Sequence, residues 1–229
     1  VTPACKHYLQ QLSYPVCACV LLATDGEVWG ARKVEDGGEK PSVAIKKIVN
    51  CFSQATEAKR ILRELRILRH LSHPNVIRIR DVLEPTSEQT FSDLWVVFDF
   101  VDLDLRKLIA SPQTISVAHV QWIAHQILAA LQYLHSAHVL HRDLKPANIL
   151  IGGFGEVLVL DWGLAKVWGE SDLEHEPLPK DADPVLTPAG RRYGTPLYMA
   201  PELARGDAHI DGRVDVFSLG NILFEILTL

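Results

Sequence analysis

Much is missing from this sequence, and each absence removes a class of protein. No apolar run approaches the roughly 18–20 residues of a membrane-spanning helix. The opening "VTPACKHYLQ" has neither the basic segment nor the apolar core of a secretory signal. It also lacks an initiator methionine, which implies that the natural N-terminus lies further upstream. Cysteine is scarce: Cys5, Cys17, Cys19 and Cys51 form no CxxC pair and no Cys/His cluster at zinc spacing. The expectation is of reduced, partly buried thiols in a cytosolic protein. An excess of one charge is absent too. Lys and Arg total 23 against 28 Asp and Glu, a net charge of −5, so neither nucleic acid nor a membrane surface is expected as a partner. No internal repeat is present.

What remains is an ordinary globular composition, 48% apolar and 22% charged over 229 residues, enough for one large domain or two small lobes. Residues 16–23, "VCACVLLA", read as a buried strand, "TDG" as a turn and "EVWGARKV" as a second strand. "SVAIKKIV" is a third strand. Residues 55–71 carry helical periodicity, with Ile61, Leu65 and Leu68 on one face. "VIRIRDVL" and "LWVVFDFV" are two more strands. The first part is thus a small β-rich lobe with one helix. A long helix follows from about 116 to 138, its face marked by Val117, Val120, Ala124, Ile127, Leu131 and Leu134. Two short strands flank the polar loop of "VLHRDLKPANILI" and "EVLVLDWG". Residues 169–188 are acidic and proline-punctuated and read as a mobile loop. The last segment, "VDVFSLGNILFEILTL", is an apolar helix whose face needs partners beyond the chain.

The polar stretches hold what phosphoryl transfer requires: cations for phosphates, a carboxylate near an attacking hydroxyl, and donors aimed at developing charge. "VAIK", "HRDLKPAN", "DWG" and "APE" stand in the order found in eukaryotic-type protein kinases, and the chain resembles that family over roughly residues 12–229. The resemblance implies an α+β, bilobal protein-kinase-like fold. Its β-rich N-lobe with one regulatory helix would span about 12–98, its hinge 99–103, and a mainly α, incomplete C-lobe 104–229.

Site roles follow from the resemblance, motif by motif. Lys46 of "VAIK" would pair with the α- and β-phosphates of ATP. It needs a carboxylate, and the 55–71 helix offers Glu57 and Glu64 on similar bearings. Periodicity does not choose between them; the likeness of "LRELRIL" to the family's helix motif selects Glu64. Asp143 would accept or orient the proton of the substrate hydroxyl, and Lys145 would neutralise the γ-phosphate. Asn148 and Asp161 would hold Mg²⁺. Lys145 and Thr195, in "HRDLKPAN" and "GTPLYMAPE", imply a protein substrate with a Ser or Thr acceptor. Phe98 would be the gatekeeper, the Asp99 carbonyl and Val101 amide would meet adenine, and Asp104 would reach the ribose. Val28, Ala44 and Leu150 would enclose the ring. Arg142 would pair with a phosphate on the activation segment, placed there by an upstream kinase, with Thr187 and Tyr193 as acceptors and Arg191 and Arg192 nearby. Asp215 would bond to the backbone of the "HRD" turn.

The first half resembles MAP kinases and cyclin-dependent kinases through "VAIKKI", "ILRELRILRHLSHPNVI" and "DLDLRKLI". The second half departs: Met199 precedes "APE", "DWG" replaces the commoner "DFG", and no TxY motif occurs. The later C-lobe helices are absent, including the Arg that would pair with Glu202. A fragment of a longer protein is implied, cytoplasmic and also nuclear in setting. The glycine-rich loop departs most. In one register Gly26 takes its last glycine position and Val28 the valine over adenine, leaving Leu21 and Ala23 at the first two glycines. In the other, Ala18 and Val20 take those places. The expected function is an ATP-dependent protein serine/threonine kinase whose phosphate clamp has a weakened grip, with a catalytically weak pseudokinase acting as a binding or scaffold module as the alternative.

Overall fold

The computed structural model describes residues 16–23, 26–31, 42–83, 92–101, 103–167, 194–207 and 209–228. The chain divides into two compact units, Val1–Leu71 with Ile77–Val101, and Ser72–Val76 with Asp102–Leu229.

The first unit is an antiparallel sheet ordered β1-β2-β3-β5-β4, made of β1 (Val16–Ala23), β2 (Gly26–Ala31), β3 (Val43–Ile48), β4 (Ile79–Leu83) and β5 (Leu94–Asp99). Side chains alternate across a strand. Trp29, Ala31, Val43, Ile45, Trp95 and Val97 therefore share one face, and with Leu83 they form a buried core. The Trp29 and Trp95 rings lie 5.2 Å apart. Lys47 sits over Trp95 and pairs with Asp93 at 2.8 Å. The opposite face carries Val28, Ala44, Lys46, Val96 and Phe98, by the same alternation and by the register Val28↔Lys46, Ala44↔Phe98 and Lys46↔Val96. Helix α1 (Ala55–His70) buries Ile67 and Leu68, while Ile61 and Leu65 are half-buried. It ends at His70, with Leu71 as an extended C-cap ahead of Pro74. Cys51 is a buried free thiol whose pKa is raised by its burial.

In the second unit, α2 (Leu105–Ile109) is followed by α3 (Val117–Ser136). Ser116 and His119 form a reciprocal cap at the start of α3. Val120, Ile123, Ile127, Ala130, Leu131 and Leu134 are its buried stripe, whereas Val117, expected on that face, is exposed at the first turn. A three-stranded sheet runs β6 (Leu103–Asp104), β8 (Ile149–Ile151), β9 (Val157–Val159), and β7 (Val139–Leu140) pairs with β10 (Lys166–Val167). Helices α4 (Pro201–Arg205) and α5 (Arg213–Leu227) complete it. Among the described residues no helix is long and apolar enough to cross a membrane.

The five-residue excursion Ser72–Val76 joins this unit although α1 and β4 on either side belong to the other. Asn75 explains it. Its side-chain amide donates to Gln126 Oε1 at 2.8 Å and to the Val157 carbonyl at 2.9 Å, and Val76 bridges Val159. Each of these bonds is buried, and a buried amide must find such partners.

Candidate active site

In the first unit, strand β3 places Lys46 between Val28 on β2 and Val96 on β5. Its Nζ lies 3.6 Å from Glu64 Oε1, with both side chains more than four-fifths buried. Glu57 instead pairs with Arg60 at 2.9 Å, one turn along its own helix. Of the two acids that periodicity left open, Glu64 is the one beside Lys46. Phe98 faces Ala44 across the sheet, and the Asp99 carboxylate is taken by Arg80. Val101, at the end of this unit, is half-buried.

The "TDGEVWG" stretch is a hairpin. Strand pairing runs Val20↔Trp29, Leu21↔Val28, Leu22↔Glu27 and Ala23↔Gly26. The two residues expected to replace loop glycines therefore lie within a β-ladder. A ladder holds backbone in an extended path, whereas a phosphate cradle needs successive amides converging on one point.

In the second unit, Asp104 and Leu150 face each other across β6 and β8. The Asp104 carboxylate also caps α2, accepting from Lys107 N at 2.8 Å.

The "HRDLKPAN" loop is held from three sides. Asp215, fully buried on α5, accepts from His141 N at 3.0 Å and Arg142 N at 2.8 Å. His141 Nε2 lies 3.0 Å from the Leu160 carbonyl, and its ring meets the edge of Trp162 at 4.9 Å. The Trp162 indole N–H is buried with no protein partner. Arg142 is itself buried, and its Nε donates to the Leu164 carbonyl at 2.7 Å. Its backbone is left-handed, φ 66°, a costly state for a non-glycine residue.

Four donors converge on the Asp143 carboxylate. Thr195 supplies both its amide and its hydroxyl to Oδ1, each at 3.0 Å. Lys145 Nζ meets Oδ2 at 2.6 Å, and Asn148 Nδ2 lies 3.3 Å from the same oxygen. Asn148 Nδ2 also donates to the Asp143 carbonyl at 2.9 Å, which turns the amide oxygen away as a free acceptor. Leu160 N bonds to the Asn148 carbonyl at 3.0 Å, bringing Asp161 beside it. Asp161 too is left-handed, φ 74°. An amide oxygen and a carboxylate are the hard donors that Mg²⁺ takes, and Mg²⁺ draws its other oxygens from water and phosphate. No cluster of three or more His, Cys, Asp or Glu occurs among the described residues.

The segment that carries Thr195 is tied to α5. Ser218 Oγ donates to the Tyr198 carbonyl at 2.7 Å and Asn221 Nδ2 to the Leu197 carbonyl at 3.2 Å. The Tyr198 hydroxyl donates to Glu225. Burial, then that carboxylate, push the phenol above its usual range, so it stays protonated as the donor. Gly194 must be glycine: its φ is 109°, and a Cβ would come within 2.8 Å of the Arg142 carbonyl. The expected phosphate acceptors Thr187 and Tyr193, with Arg191 and Arg192, lie outside the described residues.

Sequence reasoning named Asp143, Lys145, Asn148, Thr195 and Asp215. It did not name Gln126, Tyr198, Glu225 or His135. Polar residues scattered singly along apolar helices carry no motif.

A protein kinase domain model matches residues 24–229. The chain is 40% identical over 186 residues to mitogen-activated protein kinase 6 of Arabidopsis thaliana, covering 81% of this chain and 43% of that protein. It is 38% identical over 202 residues to mitogen-activated protein kinase 1 of Oryza sativa subsp. japonica, covering 88% and 46%. With mitogen-activated protein kinase 13 of Arabidopsis thaliana the figures are 39% over 185 residues, 81% and 47%. The matched part thus spans less than half the length of each of these relatives.

Proposed function

Because the chain belongs to the protein kinase domain family, we propose that it transfers the γ-phosphate of ATP to a Ser or Thr hydroxyl of a protein substrate. The carrying observation is the convergence of Thr195, Lys145 and Asn148 on Asp143. A carboxylate so fixed can orient a hydroxyl and accept its proton without reorganising. Lys145, 2.6 Å away, supplies the cation for the transferred phosphate. Lys46, steadied by Glu64, is the cation for the α- and β-phosphates, and Asn148 and Asp161 are the oxygen ligands for Mg²⁺. The metal would neutralise phosphate charge. Val28, Ala44, Phe98, Asp99, Val101, Asp104 and Leu150 are the proposed nucleotide contacts. An upstream kinase as partner and a cytoplasmic and nuclear setting belong to the same proposal. The test is phosphate transfer from ATP·Mg²⁺ to a generic Ser/Thr peptide; equal rates for the chain and its Asp143→Ala variant reject it.

A second reading, a binding module with weak turnover, draws on the β1–β2 hairpin. With strand pairing through Leu21 and Ala23, nucleotide phosphates would depend more on Lys46 and Mg²⁺. Replacing both residues by glycine frees this backbone. The double variant should lower KM for ATP by about 2- to 10-fold, the worth of one added net hydrogen bond. An unchanged KM in steady-state kinetics counts against the weakened clamp.

The two helix acids separate in the same assay. Glu64→Gln should raise KM for ATP by about 2- to 5-fold, the range of a partly exposed ion pair, while Glu57→Gln leaves it where it was. Equal effects of the two would remove the assigned role of Glu64.

A further inference from the structure

Two lysines follow one another on β3 and point to opposite faces of the sheet, each towards its own carboxylate. Lys46 meets Glu64 on the face that carries Val28 and Phe98. Lys47 meets Asp93 Oδ2 at 2.8 Å on the other face, over Trp95. The second pair does more than neutralise a charge. Asp93 Oδ1 accepts from the backbone amide of Asn50 at 3.0 Å and from Ser92 Oγ at 3.2 Å. Beside it, the Ser92 carbonyl accepts from Cys51 N at 2.8 Å. Burial opposes the charge on Asp93, yet the donors from Lys47, Asn50 and Ser92 outweigh it and hold the carboxyl below its usual range.

These bonds lie where the ladder ends. Strands β3 and β5 pair as far as Ile48↔Leu94, and Asn50 is left-handed, φ 50°. Asp93 and Ser92 carry the attachment past the last strand pair, around a turn that ladder bonds cannot follow. Ser53 N closes the turn by donating to the Asn50 carbonyl at 2.8 Å. Helix α1 begins directly after it, at Ala55. Its N-cap, Gln54, makes no side-chain cap bond, and its buried residues, Ile67 and Leu68, lie in its last turn. Core packing thus anchors one end of α1, and the turn held by Asp93 anchors the other. Glu64 lies between them, 3.6 Å from Lys46, farther than in a tight charge-assisted bond. A small swing of the α1 N-terminus opens this pair.

We infer that Asp93 is a positioning residue for the Lys46–Glu64 pair: by holding the turn at Asn50 and Cys51, it fixes where α1 enters. The kinetic part of this assignment rests on the kinase reading; the structural part does not. The effect passes through the turn and the first turns of the helix.

Three variants test it: Asp93→Ala, Asp93→Asn and the double variant Asp93→Ala with Glu64→Gln. Asp93→Asn keeps an oxygen for Asn50 N, while the flexible Lys47 side chain can withdraw from the new NH₂. Two readouts are combined, steady-state kinetics and amide hydrogen exchange. Asp93→Ala should speed exchange at Asn50 and Cys51 by about 10-fold, the worth of one hydrogen bond to a charged group. It should also speed exchange at Ala58, whose amide donates to the Gln54 carbonyl in the first turn of α1, by about 2- to 10-fold, the range of one ordinary net hydrogen bond. Asp93→Ala should raise KM for ATP by about 2- to 5-fold, the range of the Lys46–Glu64 pair itself, with kcat little changed. The double variant should be no worse than Glu64→Gln alone, because both substitutions act on one pair; independent sites would multiply to about 4- to 25-fold. Asp93→Asn should recover both exchange and KM. A merely structural aspartate would lower stability without this coupling to Glu64. Multiplied effects in the double variant overturn the inference, as does wild-type exchange at Ala58 in Asp93→Ala or an Asn variant as impaired as Ala. If Asp143→Asn turns over as fast as the unaltered chain, the kinase reading fails, and exchange at Asn50, Cys51 and Ala58 alone still decides the role of Asp93.

Discussion

Asp143→Asn lowers kcat by about 10²–10⁴-fold, the usual contribution of a positioned general base, with KM for ATP little changed. The geometry makes this substitution more than the loss of one charge. Both carboxylate oxygens face donors: Thr195 N and Oγ1 on Oδ1, Lys145 Nζ and Asn148 Nδ2 on Oδ2. An asparagine of the same volume must turn its NH₂ towards one of these sides. In one flip it opposes the Lys145 ammonium, in the other the Thr195 amide. Either way the segment at Thr195 or the cation at Lys145 loses its anchor, and the substrate hydroxyl loses its acceptor. Steady-state kinetics against peptide and ATP measure the effect, with urea unfolding as the check that the variant folds. A kcat within threefold of the unaltered chain would remove Asp143 from the proposed chemistry.

Asp215→Ala destabilises the second unit by about 2–6 kcal/mol, because it strands two buried amides that each cost about 1–3 kcal/mol when unpaired. Those amides are His141 N and Arg142 N, which both donate to the Asp215 carboxylate. The substitution also removes the acceptor of His135. Asp215→Asn retains one oxygen and should lose about half as much. Trp122 and Trp162 belong to this unit, so the urea midpoint followed by tryptophan fluorescence reads the change. A shift worth less than about 1 kcal/mol, one ordinary net hydrogen bond, would mean that the loop does not depend on this carboxylate.

The two expectations differ in what they probe. The first tests whether Asp143 does chemistry. The second tests whether the loop's shape is imposed from α5, which holds whatever the chain catalyses. An intact Asp215 effect beside an absent Asp143 effect would fit the binding-module reading, since a module keeps its scaffold without needing turnover.

Most of the elements were legible in the sequence, because apolar runs bounded by turn signals marked the strands and a period of 3.6 marked Val120, Ile127, Leu131 and Leu134 as one stripe. Which strand residues share the buried face of Trp29, Ile45, Trp95 and Val97 was shown by the sheet. The "HRDLKPAN" and "GTPLYMAPE" segments named the residues of the candidate site through their resemblance to a family, since such dense local motifs survive without knowledge of the fold. Partners outside these motifs were decided by the tertiary structure. Periodicity left Glu57 and Glu64 open on α1, the resemblance of "LRELRIL" selected Glu64, and the fold places Glu64 beside Lys46. Asn75 draws Ser72–Val76 into the second unit through bonds spanning 51 and 82 residues. His135 reaches Asp215 across 80 residues. No local period encodes separations of that size. The sequence by itself determined which faces are apolar and which polar residues are available; three-dimensional packing determined which of them meet, because a buried donor or acceptor must be satisfied by whatever the fold brings beside it.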